Sequence, residues 1–387
     1  MSTGNPTVLR TLNERAALTL LLERHTLTRA ELEAHTGLSK ASAAEVLRRL
    51  ERGGLIRKAG TRPGSAGPAA QAYGLDGTAA AVAGVDLTAR AVEVVVADLA
   101  GTIRAARSAP APEAPGEQEE FLADTIETAA LDAGVSRLDQ VVIGVPGIVR
   151  ADGRALTQAV QLTGWSGLGD LSGLHRRLPE VHLENDVNLV ALRELDGRGG
   201  SFVLLWLGAG VGAGTVLAGE LWRGATGRGG EIGSVVVPDP VSRGRSYGVD
   251  GGPLGELLGA GPLAALARAH GLDPDPGLAG IGALLADAPP AYLADVAARV
   301  TLGVTAAVGV LDPGRVVLGG PLCVAAGEPL RALVAARMRA TALAEVEIEL
   351  TAVEGNAVVE GALHDALHRT RERVFQAGTA GRAGTDE

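Results

Sequence analysis

Two segments of the chain share one pattern: an apolar strand, a tight turn, a second apolar strand and a closing glycine. They cover residues 83–101 and 205–219. A supersecondary unit that recurs about one domain length along a chain indicates a duplicated α/β fold. The turn of the second copy is rich in glycine, which leaves backbone amides open to phosphate groups. The first copy has Thr88 and Ala89 at its turn. The pattern therefore predicts a phosphate-binding turn in only one half of the duplicated fold.

The segments around the two hairpins alternate between strand-like and helix-like patterns. Predicted strands cover residues 79–87, 91–98, 102–106, 140–145, 181–184, 202–207, 212–218 and 315–318. Helices are predicted at 117–133, from Asp186 onward and between 253 and 311. Alternation with internal duplication predicts two α/β lobes with a cleft. We place the lobes at residues 76–200 and 201–375, with the C-terminal helix returning to the first, and expect a disordered tail at 376–387.

Composition limits the class of protein. The 387 residues are 46% hydrophobic but only 2% aromatic, so two or three domains must be packed mainly from Ala, Val and Leu. The only cysteine is Cys323, which excludes a disulfide or a cysteine-built zinc site within one chain. We find no segment apolar enough for a signal peptide or a membrane span, and therefore expect a cytoplasmic protein with no membrane partner.

Positive charge is concentrated at the N-terminus. Residues 1–75 contain 11 Lys/Arg and six Glu, a net charge of +5, whereas the whole chain carries −10. A basic head on an acidic body suits a protein whose head alone touches nucleic-acid phosphates. A solvated basic helix face would explain the charge equally well.

The pattern of residues 1–75 predicts a winged helix-turn-helix. Helices are expected at 6–24, after the capping box that starts at Thr28, and from the N-cap Ser39 to Arg52. Two short strands follow, with a wing at 60–68 between them. The third helix would enter the DNA major groove with its N-terminus first, which makes seven residues candidates for DNA contact: Ser39, Lys40, Ser42 and Ala43 at the helix start, and Arg48, Arg49 and Arg62 on the phosphate backbone. The alternative is a helical bundle used only for dimerisation.

Three segments of the body together suggest a polyol site. The cluster Leu183–Asn188 places a carboxylate and an amide between a strand and a helix, where open α/β folds bind ligands. Asp186 could act as a general base and Asn185 could bond hydroxyl groups, although Asp186 could instead simply cap the helix. Glu231 lies among glycines at 227–233, and a turn at 144–148 follows a predicted strand.

The order and spacing of these motifs resemble the ROK family (repressor, open reading frame, kinase) over nearly the whole chain. The resemblance rests on Thr28–Leu32, Thr36–Ser39, Gly144–Gly147, Gly164–Trp165, Glu184–Asn188, Leu207–Gly214, Gly229–Gly233 and Asp312–Gly320. It implies an actin-like ATPase fold of the sugar kinase and hexokinase type behind the winged helix. It also implies that Asn185, Asp186 and Glu231 bond a sugar beside Gly144, Pro146 and Gly147. In a kinase of the family, Asp186 would be the base and Gly208–Gly214 would hold nucleotide phosphates.

The chain departs from the family pattern at three places. The family's Asp-x-Gly-Gly-Thr turn is replaced by Asp86-Leu-Thr-Ala-Arg90, which crowds the approach of phosphates. Ser234 replaces the family's histidine, although its hydroxyl could still bond a ligand. The segment 239–256 contains neither Cys nor His in place of the family's cysteine cluster. We therefore expect no zinc, no use of ATP and no other cofactor.

These observations predict a non-catalytic transcriptional regulator, and the resemblance to the family implies that it is a repressor. Its expected partners are operator DNA, a sugar or sugar-like effector, and further copies of itself in a homodimer or homotetramer. Binding of the effector would shift the DNA-binding state. The rival interpretations are an ATP-dependent sugar kinase with a regulatory head, and a body that serves only to dimerise the heads.

Overall fold

The structure is a computed structural model that describes residues 6–64, 67–112, 117–159, 162, 165, 172–178, 180–195, 199–238 and 252–377. The helices are α1 Pro6–Arg24, α2 Arg29–Thr36, α3 Lys40–Arg52, α4 Gln118–Asp132, α5 Ser172–Arg177, α6 Asp186–Leu195, α7 Ala260–Ala269, α8 Leu278–Ala286, α9 Pro290–Leu311, α10 Pro321–Arg339 and α11 Ala357–Ala377. The long strands are β2 Ile56–Gly64, β3 Gly67–Leu75, β4 Ala81–Leu87, β5 Ala91–Asp98, β6 Ile103–Pro110, β7 Gln140–Val145, β10 Val181–Asn185, β11 Phe202–Leu207, β12 Val211–Leu217 and β16 Arg315–Gly319. The short strands are β1 Thr26–Thr28, β8 Gly147–Val149, β9 Leu156–Ala159, β13 Glu220–Leu221, β14 Val236–Val237, β15 Gly252–Pro253 and β17 Glu347–Leu350.

The N-terminal region contains three helices and a three-stranded sheet of order β1-β3-β2. The capping box at Thr28 forms as predicted, because its hydroxyl accepts from the Glu31 amide and the Glu31 carboxylate accepts from the Thr28 amide. Ser39 caps α3 by accepting from the Ser42 amide. The third strand, β1, was not predicted, because three residues are too few to show a strand pattern.

The core of this region is built from one face of each helix. Leu18, Leu32 and Leu50 are fully buried, and Phe375 from the far end of the chain packs with them. Leu9 and Leu12, in the N-terminal half of α1, lie outside this core, since both are 55% exposed.

The body contains two five-stranded sheets with the same strand order. One has the order β6-β5-β4-β7-β10 and the other β13-β12-β11-β16-β17. In each sheet three consecutive strands form an antiparallel meander, and the two later strands extend the sheet beyond the first strand of the meander. This correspondence confirms the duplication inferred from the two hairpins, which are β4–β5 and β11–β12.

Contacts divide the chain into two compact units, and the division differs from the predicted one. The first unit comprises residues 1–143, 171–182 and 362–387, and the second comprises 144–170 and 183–361. The N-terminal region thus groups with most of the first sheet and with α11, because Phe375 completes its core. The predicted disordered tail overlaps α11 at 376–377, and its remainder, 378–387, lies outside the described residues.

Helix α9 is long and apolar enough to span a membrane by length and composition, which the sequence-based expectation missed. Half of its most apolar stretch is buried inside the protein. Tyr292, Val296, Val300 and Val304 belong to the core beside the second sheet, and Arg299 is buried as well. The contacts of α9 are those of a core helix.

Candidate functional site

A cavity of about 140 Å³ opens in the second unit, beside the start of α6. Its walls come from the β7–β8 turn, the start of α6, the end of β11, the β11–β12 turn and the loop before residue 232. The lining residues are Pro146, Gly147, Asn185, Asp186, Val187, Trp206, Ala209, Gly210, Val211, Gly212 and Glu231. Five of the seven predicted ligand-binding residues are therefore brought to one cavity.

Asn185 caps α6 and attaches it to the neighbouring turn. Its Oδ1 accepts from the Asn188 amide at 3.1 Å, and its Nδ2 donates to the Gly147 carbonyl at 3.0 Å. Asn185 therefore fills the capping role that sequence reasoning left open to Asp186. An amide has two N–H donors and two acceptor lone pairs, so Asn185 retains capacity for a ligand.

Asp186 is the first residue of α6 and is partly exposed to the cavity. Its Oδ1 accepts from the Val187 amide at 2.9 Å. A carboxylate at a helix N-terminus interacts favourably with the helix dipole. An ionised carboxylate accepts several hydrogen bonds, so Asp186 is suited to bond hydroxyl groups of a polyol.

A buried carboxylate beneath the site was missed by sequence reasoning. Glu184 is only 2% exposed, and its Oε1 accepts from the Asn185 amide and from Nδ2 of Asn188, both at 2.9 Å. Its Oε2 accepts from Nε of Arg223 at 2.6 Å. This network fixes the backbone that presents Asn185 and Asp186. Only the long-range partner, Arg223, could not be inferred from the spacing of the motif.

Glu231 reaches the cavity from a glycine-rich loop. Gly230 precedes it with φ +97°, and a Cβ there would lie 1.9 Å from the Ala213 carbonyl oxygen, so only glycine fits. Glu231 is exposed to solvent. The protein around its carboxyl group removes part of its hydration and raises its pKa, an effect that nearby Arg228 opposes.

Two predicted ligand-binding residues do not line this cavity. Gly144 is buried within β7, where both neighbours are also buried. Ser234 ends the 3₁₀ turn Ile232–Ser234 and is exposed outside the lining. The structure therefore places neither residue at this cavity, and their contacts with a ligand stay predictions.

In the β4–β5 turn, the side chain of Thr88 forms hydrogen bonds with the backbone of the same turn. The Thr88 hydroxyl accepts from the Ala91 amide at 3.0 Å and from the Arg90 amide at 3.3 Å. It also donates to the Ala91 carbonyl at 3.0 Å. Amides already paired in this way offer less to a phosphate than those of a glycine cradle.

The predicted DNA-contacting residues differ in accessibility. Ser39, Lys40 and Ser42 are exposed at the start of α3, whereas Ala43 is fully buried in the core. The prediction is wrong for Ala43, because the fourth residue of this helix faces α1 and α2 rather than solvent.

The three predicted arginines have carboxylate partners. Exposed Arg48 pairs with Glu45, and Arg62 pairs with Glu31 at 2.7 Å. Arg49 is only 20% exposed and bonds the buried Glu14 at 2.7 Å. Arg49 therefore attaches α3 to α1, and Arg48 and Arg62 are the more accessible charges.

The two equivalent sheets and the cavity at the start of α6 define a mixed α/β protein with the actin-like sugar kinase fold. Residues 82–251 match the ROK family. This segment, a little under half of the chain, confirms the resemblance to the ROK family. A ROK hexokinase from Thermus thermophilus is 26% identical, with a TM-score of 0.60 over 76% of this chain and 99% of that one.

Two further similarities concern regulators. The crystal structure of a ROK family transcriptional regulator, a homologue of the E. coli MLC protein, superposes with a TM-score of 0.72 over 96% of this chain and 100% of that one, at 18% identity. The xylose repressor of Caldicellulosiruptor bescii is 24% identical over 246 residues, which are 60% of this chain and 61% of the repressor. The match thus spans less than two thirds of that relative. A glucokinase from Halalkalibacterium halodurans is 33% identical over 124 residues, 30% of this chain and 37% of the enzyme.

Proposed function

We propose that the chain is a cytoplasmic transcriptional regulator whose N-terminal region is a winged helix-turn-helix and whose body binds a sugar effector. The observation that carries the DNA-binding part is the start of α3. Ser39, Lys40 and Ser42 are exposed together at a helix N-terminus, behind a short turn from α2 and ahead of the β2–β3 hairpin. Helix-turn-helix proteins present this part of their recognition helix to the major groove.

Binding to the DNA upstream of the chain's own coding sequence tests this part. We expect retardation that weakens steeply as salt rises, since phosphate contacts release counterions. Lys40→Ala should weaken binding to all DNA sequences and reduce the salt slope by about one. Arg107→Ala is the matched control, because Arg107 lies on β6 and pairs with Asp132. Salt-independent behaviour, or equal effects of the two variants, would contradict the proposal.

The sugar-binding part rests on Asn185, Asp186 and Glu231, which line one cavity. Their amide and carboxylate groups are suited to several hydroxyls of one small polyol. Because one of the regulators similar to this chain is a xylose repressor, D-xylose is the first sugar to test, followed by D-glucose and other aldoses. A sugar that binds the native state should raise the melting temperature, and Asp186→Asn should abolish the rise. The proposed repressor acts as a symmetric homodimer or homotetramer, in which a sugar alters the affinity for paired half-sites.

An ATP-dependent sugar kinase is the second candidate, because Asp186 and the turn residues Ala209 and Gly210 line the same cavity. The turn at Thr88 argues against a kinase, since two of its amides already donate to the Thr88 hydroxyl. Phosphoryl transfer depends on donors that are positioned to bind phosphate groups. Incubation with ATP, Mg²⁺ and the sugar panel separates the two candidates. Turnover that Asp186→Asn abolishes would establish a kinase and contradict a purely sensing body.

A further inference from the structure

The side chain of Trp206 lies on the second sheet beside positions that carry no side chains of their own. On a β-sheet, residues directly opposite one another on neighbouring strands present their side chains to the same face. The residues opposite Trp206 are Gly212 on β12 and Gly319 on β16. Gly208, two residues further along the chain, is also glycine.

The indole ring extends between two of these glycines. A Cβ at Gly208 would lie 3.2 Å from the indole Nε1, and a Cβ at Gly319 would lie 3.5 Å from Cε3 at the other end of the ring. Side chains at these positions would crowd or cover the ring. The glycines therefore leave room for a large, flat aromatic surface at the carboxyl end of β11.

Trp206, like Val187, lines the cavity and contacts a hydrophobic cluster behind it. Phe202, Leu204 and Val187 are buried in that cluster, and Trp206 packs at its margin while remaining partly exposed. Trp206 and Asp186 both line the cavity. Within the part of the chain that the structure describes, the indole N–H has no hydrogen-bond partner, so it can still donate to a ligand.

We propose that Trp206 is a specificity-determining residue of the sugar site, on which the C–H face of a pyranose ring stacks. This inference rests on the proposed sugar-binding function and adds the group that recognises the apolar part of the ligand. The π face of an indole carries partial negative charge and attracts the polarised C–H bonds of a sugar. Asn185, Asp186 and Glu231 meet the hydroxyls, while Trp206 favours aldopyranoses with an unobstructed C–H face over acyclic polyols of similar size.

The test uses the full chain carrying Trp222→Phe, which removes the indole that is 54% exposed. Trp165 is 2% exposed and supplies a constant background. D-xylose and D-glucose are titrated, with tryptophan emission and calorimetric heats recorded on the same samples. We expect emission to change in step with binding, and xylitol, the acyclic counterpart of xylose, to bind at least tenfold more weakly.

Two substitutions separate stacking from simple packing. Trp206→Leu should weaken sugar binding about threefold to tenfold, the range for loss of an aromatic pair. Trp206→Phe keeps an aromatic face and should restore most of the affinity. Because a structural role would lower the melting temperature of Trp206→Leu without changing the Kd, both quantities are measured.

Equal Kd values for the parent and Trp206→Leu would overturn the inference and leave sugar binding intact. An emission change with ATP but not with sugars would assign the surface to a nucleobase and overturn it as well. Absence of calorimetric binding by every sugar in the parent would instead contradict the sugar-binding function itself, and the inference with it.

Discussion

Nη2 of Arg15 in α1 lies 2.6 Å and 2.8 Å from the two carboxylate oxygens of Glu372 in α11, although 357 residues separate them. Phe375, one turn further along α11, is 3% exposed in the core of the N-terminal region. The first residues of α11, 357–361, belong to the second compact unit, and the rest belongs to the first. This helix therefore shares its residues between the unit that holds the candidate DNA-contacting helix and the unit that holds the cavity.

Phe375→Ala should destabilise the N-terminal region by about 3 to 5 kcal/mol, because it removes a buried aromatic ring and leaves a cavity. Urea denaturation measures the change. Gln376→Ala is the control, since Gln376 is the next residue and is exposed. Equal midpoints for the two variants would show that α11 does not contribute to this core.

Glu184→Gln should destabilise the second unit by about 1.5 to 3 kcal/mol, the range for hydrogen bonds to charged groups. The glutamine carbonyl can replace Oε1 and keep the Asn185 and Asn188 bonds, but its NH₂ group then faces the guanidinium of Arg223. Sugar affinity should fall in parallel, because this network positions the site.

Glu180→Gln is the matched control for that substitution. Glu180 is four residues earlier, its side chain is 57% exposed, and its partner Arg373 is 3.9 Å away. Exposed pairs at such distances contribute little. A loss of stability as large as that of Glu184→Gln would contradict the role we assign to the buried network.

Much of the fold could be predicted because local signals agree with tertiary structure at particular residues. Thr28, Gly37 and Ser39 fix the helix boundaries of the N-terminal region, and the two apolar hairpins predict two equivalent sheets. The sequence also brought Asn185, Asp186 and Glu231 together through the resemblance to a known family. Long-range relationships were not predictable: no local pattern pairs Glu184 with Arg223 or places Phe375 among residues of α1 and α3.

Two further positions could not be placed from the sequence, and burial explains the first of them. Ala43 has a side chain short enough for a close DNA contact, but its position on α3 turns it into the core. Ser234 follows Glu231 by only three residues, yet it is exposed outside the cavity lining. Periodicity gives the face of a helix, whereas its neighbours decide which face is covered.

Gly214→Ala should destabilise the second unit by about 1 to 3 kcal/mol, as overpacking does. Its Cβ would lie 2.5 Å from Cβ of Ala191 and 3.0 Å from the Val187 carbonyl oxygen, both on α6. This glycine of the β11–β12 hairpin thus allows α6 to approach the sheet, independently of any phosphate. Thermal denaturation measures the effect.

Gly309→Ala is the control for that substitution. Gly309 lies in α9 and is exposed, and a Cβ at this position would meet no atom within 4 Å outside its own stretch of helix. Alanine should stabilise the helix there by about 0.5 to 1 kcal/mol, since it loses less conformational freedom on folding. Opposite signs for the two variants are expected, and destabilisation by both would contradict the packing argument.

Glu231→Gln should make the protein more stable at neutral pH while weakening sugar binding. Reduced hydration raises the pKa of Glu231 in the folded state, so the folded state favours the protonated carboxyl group. A group whose pKa rises on folding contributes stability below its unfolded pKa, and that contribution is lost as pH rises through the folded value. Relative to the glutamine variant, the wild type should therefore lose stability between about pH 4.5 and neutrality. Melting temperatures across this range give the difference directly.

Glu328→Gln is the control, for which we expect a stability difference of the opposite sign, because a hydrogen bond from Arg331 lowers the pKa of Glu328. The wild type should exceed that variant at neutral pH, with the gap closing on acidification. A Glu231→Gln curve parallel to the wild type would contradict the raised pKa.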